Sequence, residues 1–145
     1  MRCRGITLIE LLLVLAILAA VYAVAMPRIG EGVSGVELKS AARKVAAGLR
    51  QVRNVAIGQR QEAVMEVDLE RRMFRLTGDA REYALPEKLD LKLFTAQQEL
   101  ISDKVGSIRF YPDGGSTGGR VTLAAGERKY DVDVDWLTGR VDILQ

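Results

Sequence analysis

At 145 residues the chain has room for one folded domain plus a short accessory segment. Its formal net charge is +2, and Arg2 and Arg4 supply two positive charges, so the remainder is neutral and overall charge gives no argument for a nucleic-acid partner. Histidine is absent and Cys3 is the only cysteine, which removes the commonest general base and any intrachain disulfide.

The first element is the most distinctive. Residues 6–26 are apolar except for Thr7, Glu10 and Tyr22. A run of about 20 such residues is long enough to cross a bilayer's hydrocarbon core as one helix. Arg2 and Arg4 stand just before it and favour a cytoplasmic amino terminus. Glu10 is the oddity, because a carboxylate inside an apolar span is costly and marks a functional position. A secretory signal has the same order of charge and apolar core, and Ala23-Val24-Ala25 offers a small-x-small triplet. Against removal stand the length of the run and Glu10, for which a signal peptide has no use. A plain anchor explains the length and leaves Glu10 unexplained.

Arg4-Gly5-Ile6-Thr7-Leu8-Ile9-Glu10 resembles the processing site of type IV prepilins and type II secretion pseudopilins. The resemblance implies that a prepilin peptidase cuts after Gly5 and methylates the new amino terminus at Ile6, which stands where that family usually has Phe. The family's assembly glutamate falls on Glu10. An amine at Ile6 and a carboxylate at Glu10 are both costly in a membrane unless paired. The pair forms either with the amino terminus of a neighbouring subunit, setting its axial register in a fibre, or within the chain itself; snorkelling of Glu10 to the interface is the third option.

Pro27 follows, with Gly30, Gly32 and Gly35 close behind. Proline kinks a helix, and each glycine weakens one by roughly 1 kcal/mol relative to alanine. Residues 27–35 therefore read as a bent or partly melted joint, or as a plain loop. From Val36 the helical period returns. Leu38, Ala41, Ala42, Val45, Leu49, Val52, Val55 and Ala56 recur at threes and fours, which predicts an amphipathic helix of about seven turns ending near Gly58. Its apolar stripe should pack on a sheet. Lys39, Arg43, Lys44, Arg50, Arg53 and Arg60 lie on or near the other side, either solvated or facing acidic groups of other subunits or phosphate.

After Gly58 the period changes to two. Residues 63–68 and 73–76 read as a strand pair joined by a turn at 69–72, and Tyr83–Leu85 before Pro86 as a short edge. Leu89–Leu93 alternates, and residues 95–105 give a polar loop. Ser107–Tyr111, the turn-rich Pro112–Gly119 and Arg120–Leu123 read as one hairpin. Lys129–Trp136, the turn Leu137–Gly139 and Arg140–Leu144 read as a second. Val132, Val134 and Trp136 would share the core face of their strand, with Asp131, Asp133 and Asp135 on the other. The whole predicts an α+β fold: a long N-terminal helix, membrane-spanning in its first half, packed on antiparallel sheet.

Candidate chemistry is sparse. Asp113–Gly119 lacks the Gly-Lys-Ser/Thr ending and the following helix of a phosphate loop, and reads as a glycine turn. The Asp131, Asp133 and Asp135 carboxylates suit calcium's preference for oxygen. Alternate residues on a strand are about 7 Å apart, however, too far for three to grip one ion. They read instead as a solvated face with Arg120 and Arg140 across from it. No spacing of serine, lysine or carboxylates singles out a catalytic set. The expectation is a protein that is not an enzyme and uses no cofactor or metal.

Two C-terminal blocks extend the resemblance. Ile108–Gly114 with Ser116–Gly119, and Asp135–Val141, look like those of the H-type minor pseudopilins of type II secretion (GspH). Fimbrial minor pilins of the FimT/FimU kind share the domain. The resemblance implies a structural subunit of the secretion pseudopilus, near its tip, supporting protein export across the outer membrane; the alternative is a minor type IV pilin for pilus priming or DNA uptake. It implies as partners the prepilin peptidase, other minor pseudopilins, the major pseudopilin and the inner membrane, with the secretin channel and secreted substrates as further contacts. It also divides the chain into a cleaved leader (1–5), a transmembrane and fibre-core helix (6–27), a joint and amphipathic helix (28–60) and a β-rich periplasmic domain (61–145). Nucleic acid is not expected. Binding it takes an exposed basic cluster for phosphate contacts, whereas Arg120, Lys129 and Arg140 are interleaved with Asp131, Asp133, Asp135 and Asp142.

Overall fold

The computed structural model describes residues 8–25 and 33–145. They form two units: a single helix in the first, α1 (Leu8–Ala25), and an α+β domain in the second.

The domain is built on α2 (Gly35–Gln59), which matches the predicted amphipathic helix within a residue or so at each end. Its start is fixed by a capping box. The Ser34 hydroxyl accepts from the Glu37 N–H at 3.1 Å, and the Glu37 carboxylate accepts from the Ser34 N–H at 2.9 Å. Its end is closed by Arg60 in the left-handed region, whose N–H donates to the Ala56 carbonyl. The stripe Leu38, Ala41, Ala42, Val45, Leu49, Val52 and Ala56 is buried, as the period requires. Each fully buried leucine or valine contributes about 1.5–3 kcal/mol of burial free energy. Gly48 faces β2 at close range: a Cβ there would lie 2.9 Å from the Phe74 ring.

Two four-stranded antiparallel sheets share this helix. The first has the order β3-β2-β1-β5, with β1 (Ala63–Asp68), β2 (Met73–Leu76), β3 (Glu82–Ala84) and β5 (Val105–Phe110). The second has the order β4-β6-β7-β8, with β4 (Asp90–Phe94), β6 (Gly119–Ala125), β7 (Arg128–Val134) and β8 (Val141–Leu144). Alternation does the sorting in β1, where Ala63, Met65 and Val67 are buried and Val64, Glu66 and Asp68 are half-buried. Ile108 and Phe110 from the first sheet and Val121, Leu123, Val132 and Val141 from the second join the α2 stripe in one core. The predicted β1–β2 turn and the short edge strand β3 are both present.

Two expectations are corrected. Residues 107–111 and 120–123 do not form a hairpin. β5 pairs with β1, from Ala63↔Phe110 to Asp68↔Val105, while β6 pairs with β4 and β7. The stretch Tyr111–Gly118 is therefore a crossing between sheets, pinned by a Thr117 N–H to Arg109 carbonyl bond and a Phe110↔Ser116 bridge. It is longer than the two to five residues that close most hairpins. The second correction concerns Trp136, which is not on the core face. β7 ends at Val134, the chain turns, and Trp136 is 67% exposed.

Candidate functional site

Of the residues singled out for maturation and assembly, Gly5 and Ile6 lie outside the described residues, as does most of the joint after Met26. Glu10 lies in the first turn of α1 and is exposed. Its large apolar neighbours are exposed too, from Leu8 (78%) through Leu12 and Val14 to Val21. These side chains point to every side of the helix, and a helix that is apolar all round is one that lipid or protein must cover. Among the described residues no helix is long and apolar enough to cross a membrane. The expected span, 6–27, runs past both ends of α1 as described.

At the C-terminal end of α2 the two C-terminal sequence blocks meet. Arg53 Nε donates to the Gly114 carbonyl at 3.3 Å and its Nη2 to the Thr138 carbonyl at 3.0 Å. Arg50 Nη2 reaches the Val141 carbonyl at 2.8 Å, and Lys44 Nζ the Ala84 carbonyl at 2.9 Å. Part of the basic side of α2 therefore serves neither of the two roles expected of it. It ties main-chain carbonyls to the helix, two in turns (Gly114, Thr138) and two at the ends of the strands β3 and β8 (Ala84, Val141). Lys39 and Arg43 remain exposed.

The turn after β7 is built by Asp135. Its carboxylate accepts from the Leu137 and Thr138 N–H groups and the Thr138 hydroxyl, at 3.1, 2.8 and 2.8 Å. The Thr138 N–H leads the bonds that hold this carboxyl below its usual range. The Gly139 N–H closes the turn on the Asp135 carbonyl. The other two strand acids are also engaged. Asp131 accepts from the Thr122 hydroxyl at 2.6 Å, which with Lys129 keeps its carboxyl low, and Asp133 accepts from Arg120 Nε at 3.0 Å. Arg140 pairs with Asp142 rather than with the three acids. Among the described residues no group of histidine, cysteine or carboxylate side chains is arranged to hold a metal ion.

A partly buried ion pair lies outside the residues that sequence motifs single out. Glu99, 7% exposed, accepts from Ser107 and from Arg109 Nε at 2.9 Å, and Arg109 Nη1 also reaches Glu62 at 2.9 Å. Burial pushes the Glu99 carboxyl up; the Arg109 and Ser107 hydrogen bonds outweigh it and leave the group below its ordinary value. The polar stretch 95–105 gives no periodic signal for this anchor.

A separate apolar helix and a domain in which a second, longer helix lies on antiparallel sheets define a protein of the pilin and pseudopilin class. Residues 1–26 match the prokaryotic N-terminal methylation motif, and residues 41–138 match the type II transport protein GspH family. The chain belongs to that family, and its role is that of a minor pseudopilin, a structural part of type II secretion. It is 35% identical over 140 residues to type II secretion system protein H of Xanthomonas campestris pv. campestris, covering 97% of this chain and 82% of that one. Its fold is similar to the minor pseudopilin EpsH of Vibrio cholerae, with a TM-score of 0.60 at 16% identity over 74% of this chain and 96% of the other. It is also similar to the type IV minor pilin FimU of Pseudomonas aeruginosa, with a TM-score of 0.57 at 14% identity over 74% and 93%. The methylation motif implies processing by a prepilin peptidase and a pseudopilus setting with other pseudopilins.

Proposed function

We propose that this subunit is held in the inner membrane by residues 6–27, with the domain from residue 61 onward in the periplasm, and that it joins the tip region of a short periplasmic fibre. The leader 1–5 is removed after Gly5, and Ile6 becomes the methylated amino terminus. Glu10 then pairs with the amino terminus of a neighbouring subunit. The partners are other minor pseudopilins and the major pseudopilin, with the secretin channel and secreted proteins beyond them. The chain contributes shape and register, not catalysis.

One observation carries the reading. α1 exposes apolar side chains on all sides and carries a single charge, Glu10, in its first turn. Such a helix is stable only inside lipid or among other helices, and its one carboxylate then requires a cation. The mature amine of a neighbour is a cation of the right kind at the apolar end of the same element. The opposing requirement of a nucleic-acid binder, a free basic cluster on the domain, is weakened by Arg50 and Arg53, whose guanidinium groups bond main-chain carbonyls.

The direct test is the mass of the chain recovered from the membrane. With the prepilin peptidase present it should fall by residues 1–5 and gain one methyl group, and a Gly5 substitution should abolish both changes. If wild type and the Gly5 variant were recovered at the full-length mass, the maturation scheme would collapse to a simple anchor.

A further inference from the structure

We propose that the turn Asp135–Gly139 is an interaction surface, presenting Trp136 and Leu137 as an apolar anchor for the globular domain of an adjoining pilin-like subunit. The inference rests on the fibre reading above and adds which part of the domain meets a neighbour.

Three observations carry it. The first is exposure without disorder of the backbone. Trp136 and Leu137 are 67% and 66% exposed, yet the turn that holds them is tied down by several hydrogen bonds. Asp135 accepts from three donors within it, Arg53 holds the Thr138 carbonyl, and the Trp136 carbonyl accepts from the Ser116 N–H. The Trp136 Cβ also packs on Gly118, 3.0 Å from where a Cβ there would stand. An apolar pair held out by a rigid turn gives up little entropy on docking, and tryptophan is enriched among the residues that dominate interfaces.

The second observation is charge. The charged groups around the turn are all engaged: Arg120 with Asp133, Arg140 with Asp142, Asp135 with donors of the turn itself, and Arg53 with the Gly114 and Thr138 carbonyls. None of these cations is left free for a phosphate or an anionic headgroup, so the surface this rim complements is apolar and uncharged. The third is position. The chain enters the domain at the N-terminal end of α2, and the turn packs against Arg53 near its C-terminal end. The 25-residue helix separates its own two ends by roughly 37 Å at 1.5 Å per residue. The turn thus lies toward the opposite end of α2 from the residue at which the chain enters the domain.

Trp136 is the only tryptophan in the chain, so it reports on itself. Full-length chain labelled with 5-fluorotryptophan carries one fluorine, and its resonance is followed in detergent micelles before and after addition of the major and minor pseudopilins of the same secretion system. The expected result is a shifted resonance that loses its H2O/D2O solvent-isotope shift in the complex. Trp136→Ala with Leu137→Ala should weaken that complex about tenfold or more, Trp136→Phe should restore most of the binding, and both variants should melt at the wild-type temperature. A complex that forms while Trp136 keeps its solvent-isotope shift overturns this inference and leaves the fibre reading standing. Failure of the wild-type chain to join any pseudopilin overturns both. Protection of Trp136 by micelles alone, or only by a secreted protein, overturns the inference in favour of a lipid or a cargo surface.

Discussion

Gly139 has φ +62°, and a Cβ there would run into the Gly114 carbonyl and stand 3.0 Å from Arg53 Nε. Gly126, in the β6–β7 turn, has the same φ of +62°, and a methyl added there would meet nothing within 4 Å. The two positions separate backbone strain from crowding. Alanine at Gly126 should cost about 1 kcal/mol, the left-handed penalty alone. Alanine at Gly139 adds displacement of a main-chain carbonyl and should cost about 2–4 kcal/mol in all, read as the difference in denaturation midpoints of the two variants. Glu99 gives a prediction in pH. Its carboxyl is lowered in the folded state, because the Arg109 and Ser107 bonds outweigh burial. A lowered carboxylate contributes stability that is fully present above the unfolded value of about 4.5 and is lost as pH falls through the lower folded value. Wild type should therefore lose stability below about pH 4.5 more steeply than Glu99→Gln, which will show as converging melting temperatures when both are scanned from pH 6 to pH 3. At neutral pH Glu99→Gln should cost about 1–2 kcal/mol, less than a fully buried pair, because Arg109 is a third exposed.

The elements differ in how much of them is written locally. α2 is legible throughout: its stripe has the helical period, and Ser34-x-x-Glu37 is a capping-box pattern that marks its first turn. Ser34→Ala should remove that cap and cost about 1 kcal/mol, measured by thermal denaturation with the helical circular dichroism signal. The strands are legible one by one, because β1 and the second half of β7 alternate and β2 is a short apolar run. Their partners are not. Pairing β5 with β1 rather than β6 is a long-range choice, set by the need to place Ile108 and Phe110 over the same helix as Met65 and Val67. No local pattern distinguishes a glycine-rich hairpin from a glycine-rich crossing. Trp136 departs from its expected place for a different reason. Period two stops at Val134, because the Asp135 side chain of Asp135-Trp136-Leu137-Thr138-Gly139 bonds the backbone two and three residues on and so ends the strand. The basic side of α2 reads as a free surface because sequence shows charge and spacing but not which distant segments return to the helix; Arg50 and Arg53 find their carbonyls some 60 to 90 residues away. The N-terminal motif needed no tertiary information, since its meaning lies in a short order of residues before an apolar run.

On the scale of the whole molecule the chain divides into Met1–Glu31 and Gly32–Gln145, and Glu10 is the point where the two parts should answer differently to one change. Inside a bilayer, a charged side chain costs about 2.5–3.5 kcal/mol on insertion scales. Glu10→Ala removes that cost, so it should insert at least as well as wild type and leave processing after Gly5 and the melting of the domain unchanged. If Glu10 were only a tolerated blemish in an anchor, assembly would be unchanged as well. If it pairs with the amino terminus of a neighbouring subunit, the variant loses an attraction that exists only between chains. Incorporation into the fibre should then fall by about tenfold, which corresponds to about 1.4 kcal/mol. Glu10→Gln keeps the shape and loses the charge, so it should behave like alanine; Glu10→Asp keeps the charge on a shorter arm and should fall between. The measurement is the ratio of subunit in sheared pseudopili to subunit in the membrane fraction, by quantitative immunoblot. A membrane level held or raised with a lowered fibre level is the signature of an intersubunit pair, and equal ratios for all four chains would return Glu10 to a pairing within its own chain.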